Sequence, residues 1–141
     1  MLAIAIAAAV AQLSFAELFE ASGPLRPSQI ATQLSGKRVR VDGFMARMEI
    51  PPHGAFWLCR MPLALDEAGG GTADLPVESI LVVLTPPGSV PVEPIRGPLR
   101  VEGTLEVGRK VAADGTLSLF RIVLDPPGSK AIQTRPGKEK R

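Results

Sequence analysis

One phrase is written twice in this chain. VRVDGFM occupies residues 39–45 and LRVEGTL residues 99–105, so an apolar residue, Arg, Val, an acid and Gly recur in the same order. Both copies alternate. Val39 and Val41 fall on one face and Arg40 and Asp42 on the other, just as Leu99 and Val101 oppose Arg100 and Glu102. A period of two is the mark of a strand buried on one side. Gly43 and Gly103 then interrupt the two strands at the same place. An interior glycine weakens a strand, so finding it twice in one phrase points to a bulge or a bend of the backbone there. Two curling strands of this kind are what a small sheet needs in order to close on itself, and the phrase reads as scaffold rather than as a site. The residues that follow the two copies do not match, which argues against a duplicated half-domain.

The punctuation around these strands agrees. With 141 residues the chain suits a single domain, and 14 Gly with 14 Pro favour short strands and tight turns over long helices. Residues 17–36 read as a helical lead-in: a turn around Leu18 and Phe19 stopped by Gly23-Pro24, then a short helix with Ser28 as N-cap and Gly36 as its stop. Residues 37–129 hold five expected strands. The first runs on to Pro51-Pro52; AFWLCRM (55–61) ends at Pro62; and DEAGGGTADLPV (66–77) is an excursion. SILVVLT (79–85), apolar almost throughout, reads as a central strand. The second phrase opens the fourth strand, AADG (112–115) turns it, and TLSLFRIVLD (116–125) is the fifth. The expectation is an all-β chain built as a five-stranded OB-like Greek-key barrel.

The two ends differ in character from the middle. Residues 1–16, MLAIAIAAAVAQLSFA, carry no charged side chain and place Ser14 and Ala16 at small positions before a cut, so they read as a signal peptide and the protein as exported, in the periplasm. No Lys or Arg precedes the apolar run, as a start codon assigned too far downstream would produce, and a buried Ala-rich helix is the competing structure. Residues 130–141 hold five Lys or Arg against one Glu and read as a disordered basic tail. Removing it from the totals leaves 11 basic and 13 acidic residues, so the overall charge of +2 belongs to the tail. Membrane contact is expected only through the leader or this tail.

GKRVRVDGFM (36–45), preceded by a short amphipathic stretch ending in Leu34 and followed by AFWLCRM, resembles a group of uncharacterised exported bacterial proteins. Their mark is a Gly-Lys-x-Val-x-Val-x-Gly-Phe-Met strand after a signal or lipoprotein leader. The resemblance spans residues 17–105 and implies an accessory envelope protein with a protein partner, a transporter component including those of metal uptake. It carries over no catalytic residue. The cysteine motifs of some of these proteins are missing here beyond Cys59.

The chemistry-bearing residues do not gather into a motif. Glu49, His53, Cys59, Asp66 and Glu67 are the candidate metal ligands, yet no paired CxxC or HxxxH anchors them, so no metal, catalytic or cofactor site is assigned. His53 is the single histidine; a Cys59–His53 pair is the one nucleophilic arrangement the chain offers, and no third residue marks it. Nucleic acid is disfavoured because residues 17–129 are net acidic and offer scattered aromatics, Phe56 and Trp57 pointing to opposite faces. The expectation is a non-catalytic binding or accessory module of the cell envelope whose ligand-binding residues are unknown, with no cofactor. A cytoplasmic single-stranded nucleic-acid-binding domain and a metal-handling envelope protein are the alternatives.

Overall fold

A strand that alternates Arg-Val-Arg-Val-Asp-Gly needs a core on one side and a charged partner on the other, and the chain supplies both from its second copy of the phrase. The computed structural model describes residues 10–23, 25–48, 52, 54–62, 64–65, 76, 78–84, 95–113, 115–124 and 132–134. In chain order these form β1 (Ala11–Gln12), a 3-10 turn (Phe15–Glu17), α1 (Gln29–Leu34), β2 (Arg38–Met45), β3 (Arg47–Met48), β4 (Ala55–Cys59), β5 (Ala64–Leu65), β6 (Ile80–Val83), β7 (Pro98–Val111), β8 (Leu117–Val123) and β9 (Ile132–Thr134). The chain is mainly β, with one α-helix among the described residues.

The main sheet runs β1-β2-β4-β6-β8-β7-β9, and β7 pairs again with β2. Neighbours along β2, β4 and β6 are antiparallel, β6 and β8 are parallel, and β8, β7 and β2 are antiparallel again. The separate β3–β5 pair is parallel. β6 sits between β4 and β8, and Ile80, Leu81 and Val82 are all buried there, which is why its sequence shows no alternation.

β2 and β7 meet phrase to phrase. Val41 lies opposite Val101, Arg40 opposite Glu102 and Asp42 opposite Arg100, while each glycine faces an apolar residue of the other copy, Gly43 with Leu99 and Gly103 with Val39. The inner face of both strands is buried at every second residue, and the outer face closes two ion pairs of 2.9 Å, Arg40–Glu102 and Arg100–Asp42. Both glycines have ordinary negative backbone angles. What excludes a side chain is crowding. A Cβ at Gly43 would stand 2.7 Å from the Cys59 carbonyl oxygen, and one at Gly103 would stand 2.5 Å from that of Val123. Each glycine is therefore the point at which a neighbouring strand crosses close over the inner face.

The core gathers Val39, Val41, Leu99, Val101 and Leu105 with Phe56, Leu58, Ile80, Val82, Phe120 and Ile122. Phe19 meets Phe120 edge to face, centroids 5.1 Å apart. A smaller cluster lies on the other face of β4 and β6, where Trp57, Cys59 and Leu81 pack with Ala46 and Ala55. The lead-in helix forms as its ends predict: the Ser28 hydroxyl accepts from the Ala31 N–H at 3.0 Å and donates to the Glu17 carbonyl, and Gly36 follows at φ +84°.

Two terminal segments do more than their composition suggests. Within the expected leader, Ala11 and Gln12 pair in parallel with Val39 and Arg40, and the Leu13 N–H donates to the Arg40 carbonyl at 2.9 Å. Leu13, Phe15 and Leu18 are buried in the main core. Each such side chain contributes about 1.5–3 kcal/mol, a sizeable share of the roughly 5–15 kcal/mol that holds a domain of this size. Apolar composition alone does not separate such a strand from a leader, because both demand uncharged residues. Within the expected tail, Ile132–Thr134 pairs antiparallel with Leu99–Val101 along β7. Residues 1–9 and 135–141 lie outside the described residues, as does nearly all of the 66–77 excursion.

Candidate functional site

The antiparallel meeting of β2 and β7 brings the residues just after the first phrase to those just before the second. Phe44, at the end of β2, lies opposite Pro98 on one side and Cys59 on the other, and its ring belongs to the outer, half-buried face. Met45 turns inward, and its sulfur accepts a hydrogen bond from the Ile95 N–H at 3.4 Å. Gly97, at φ +83°, turns the chain into β7; no atom lies within 4 Å of where its Cβ would be. A cleft of about 390 Å³ opens here, lined by Phe44, Met45, Pro62 and Ile95 together with Arg47 and Arg96.

Arg47, on β3, and Arg96 are both exposed. Neither forms an ion pair with the described residues, in contrast to Arg40 on β2 and Arg100 on β7. An apolar floor beside two guanidinium groups suits an anionic group attached to an apolar body: the floor takes the body and the planar forks take a carboxylate or phosphate. None of the described lining residues carries a nucleophile or a base that titrates near neutrality; what they offer is an apolar surface and two guanidinium groups, which can hold and orient a ligand. These residues carry no motif. What marks them is their position: once the two phrases are set antiparallel, Arg47 and Arg96 fall at the same end of the ladder.

The candidate metal ligands do not converge among the described residues, and no group of three or more His, Cys, Asp or Glu is close enough there to hold an ion. Glu49, His53, Asp66 and Glu67 lie outside them. Cys59 is buried, with its sulfur 3.5 Å from the Ser79 hydroxyl. Burial pushes the thiol pKa up, the Ser79 contact pulls it down and nearby Glu78 pushes it up again, with a net rise. The thiolate is disfavoured, and a buried neutral thiol behaves as a small apolar side chain. Apart from Phe44, which lines the cleft, the aromatic residues pack in the interior. Phe56 and Trp57 do point to opposite faces, but both faces are covered and both rings are buried, as are Phe15 and Phe120. The Trp57 indole N–H is itself buried without an acceptor among the described residues.

No family model matches the chain, and no curated protein does. Among solved structures, the crystal structure of a DUF3299 family protein from Pseudomonas aeruginosa is similar, with a TM-score of 0.52 at 15% sequence identity over 93% of this chain and 99% of that one. At that identity the likeness speaks to the fold. No helix among the described residues is long and apolar enough to cross a membrane.

Proposed function

We propose that the protein is a non-catalytic binding module of the bacterial cell envelope, exported to the periplasm, built as an OB-like barrel and acting as an accessory to a membrane transporter. The architectural part rests on the order of pairings, which leads from β2 through β4, β6, β8 and β7 back to β2, with one parallel pair between β6 and β8. That is the order of a five-stranded Greek-key barrel. The functional part rests on one observation above the others: the cleft by Phe44 sets two cationic side chains, unpaired with the described residues, over an apolar floor. An acidic segment on a partner protein complements that arrangement in charge and in chemistry. The resemblance of GKRVRVDGFM to exported envelope proteins supplies the compartment and the kind of partner.

The test is cross-linking of the full chain in the intact envelope. A transporter component recovered with the wild type and lost with Arg47→Glu/Arg96→Glu, while the variant keeps its melting temperature, supports the reading. Recovery unchanged by the double substitution overturns the cleft as the contact. Recovery of the protein in the cytoplasm with salt-sensitive binding to single-stranded oligonucleotides favours the nucleic-acid alternative, for which the same arginines and Phe44 are the available groups. A melting temperature raised by zinc, and no longer raised after His53 is replaced, favours the metal-handling alternative.

A further inference from the structure

An acidic partner can meet a cationic cleft with a side chain or with the end of its chain, and the two make different demands. We infer that the cleft beside Phe44 takes a partner's C-terminus: the last residue's apolar side chain lies against Met45 and Ile95, and its α-carboxylate meets Arg47 and Arg96. This rests on the cleft being a partner-binding site, as proposed above, and specifies the part of the partner that enters it.

Apolar side chains and two guanidinium groups line one cleft of about 390 Å³. That lies toward the small end of ligand sites, with room for the end of a chain rather than for a helix. The anionic group and the apolar body that bind there must therefore lie close together. At an internal Asp or Glu they do not, because the nearest apolar side chain belongs to another residue and the peptide groups between and beside them need hydrogen-bond partners. The described side chains have little to give those groups. Phe44, Pro62 and Ile95 carry no polar side-chain atom, the Met45 sulfur already accepts from the Ile95 N–H at 3.4 Å, and a guanidinium only donates. At a C-terminus the side chain and the carboxylate leave the same Cα, and one peptide group fewer enters.

The charges and the space agree with this. A carboxylate offers two oxygens with about four lone-pair sites, so it can accept from both guanidinium forks at once. Arg47 and Arg96 are exposed and form no ion pair with the described residues, so no carboxylate among those residues has to be displaced. Gly97, also in the lining, has no atom within 4 Å of where its Cβ would stand, which leaves open space through which the partner's preceding residues can depart. A free fatty acid shares the chemistry, but an open cleft leaves much of an acyl chain in water, whereas small-ligand sites bury most of what they hold.

The experiment follows the backbone amides of the isotope-labelled full chain by NMR, which registers weak binding. The probes are acetylated Gly-Ser-Gly-Leu as the free acid, the same peptide as its amide, acetylated Gly-Leu-Glu-Gly amide with an internal acid, and octanoate. The free acid is expected to shift the Met45, Ile95 and Gly97 amides saturably and to bind about tenfold or more tighter than its amide. Arg47→Gln/Arg96→Gln is expected to keep the melting temperature and abolish that difference. Equal binding of acid and amide overturns the inference. Equal binding of the internal-acid peptide overturns it while leaving the acidic-segment reading in place, and tighter binding of octanoate overturns it in favour of a fatty acid. Absence of shifts at these amides with free-acid peptides ending in Leu, Val or Phe also overturns it; the cleft as a partner contact is then decided separately by the envelope cross-linking with Arg47→Glu/Arg96→Glu.

Discussion

Gly43 and Gly103 show how much a single missing side chain can decide. Both lie in strands with ordinary backbone angles, so flexibility is not their contribution; each leaves room for a neighbouring carbonyl. Gly103→Ala forces a methyl group against the Val123 backbone, which cannot swing aside as a side-chain tip can, and is expected to cost about 1–3 kcal/mol in urea unfolding. Gly115, at φ +90° with open space around it, is expected to cost about 1–2 kcal/mol for backbone reasons alone. Urea midpoints for the two alanine variants check this, and a midpoint for Gly103→Ala unchanged from the wild type contradicts the crowding account. Cys59 carries a prediction of its own. Its pKa is raised in the fold, chiefly by burial, so the stability tied to the protonated thiol is fully present below the unfolded-state pKa, about 8.5, and is lost as pH rises through the folded value. Unfolding free energy of the wild type is expected to fall above about pH 8.5 more steeply than that of Cys59→Ala. A disulfide reagent is expected to modify Cys59 only once the protein is unfolded.

At the scale of elements, the β7–β8 hairpin is fastened by one buried cation. Arg121, its side chain 8% exposed, bonds the Glu106 carboxylate at 3.0 Å, the Gly108 carbonyl at 2.8 Å and the Ser118 hydroxyl at 3.0 Å, spanning the irregularity in register between Val107 and Lys110. Its partners are unequal, since the Glu106 side chain is 41% exposed and water can replace the guanidinium there. Arg121→Met strands the Gly108 and Ser118 acceptors and is expected to lose about 1–3 kcal/mol. Glu106→Gln is expected to stay within about 1 kcal/mol. Equal losses by chemical denaturation would place the energy in the ion pair instead. The strands themselves were legible: alternation located β2 and β7, uninterrupted apolar residues located β6, and the Ser28 cap with Gly36 located α1. Arg121 was not, because an arginine in an apolar strand shows its burial only once the bulged partner strand is in place. The two short edge strands β1 and β9 escaped for a different reason. Two or three residues carry no period, and their pairing with β2 and β7 is decided by tertiary contact.

For the whole molecule, the cleft was hidden in the sequence because its described walls come from separate stretches: Phe44–Arg47, Pro62 and Ile95–Gly97. The antiparallel setting of the repeated phrase is what joins the first and last of these, and that setting has one more consequence. Read from either end, the outer charges of each phrase complement a second copy of itself: two β2 strands from different molecules, laid antiparallel about Val41, would match Arg40 of each with Asp42 of the other, as β7 strands would match about Val101. During refolding, strangers can therefore offer the ladder that the chain offers itself sixty residues away. Dimers joined β2 to β2 or β7 to β7 are expected to grow with protein concentration during refolding, measured by size-exclusion chromatography. The pair Asp42→Arg/Arg100→Asp keeps opposite charges facing within one chain but sets like against like between copies, and it is expected to suppress those dimers without lowering the yield of monomer.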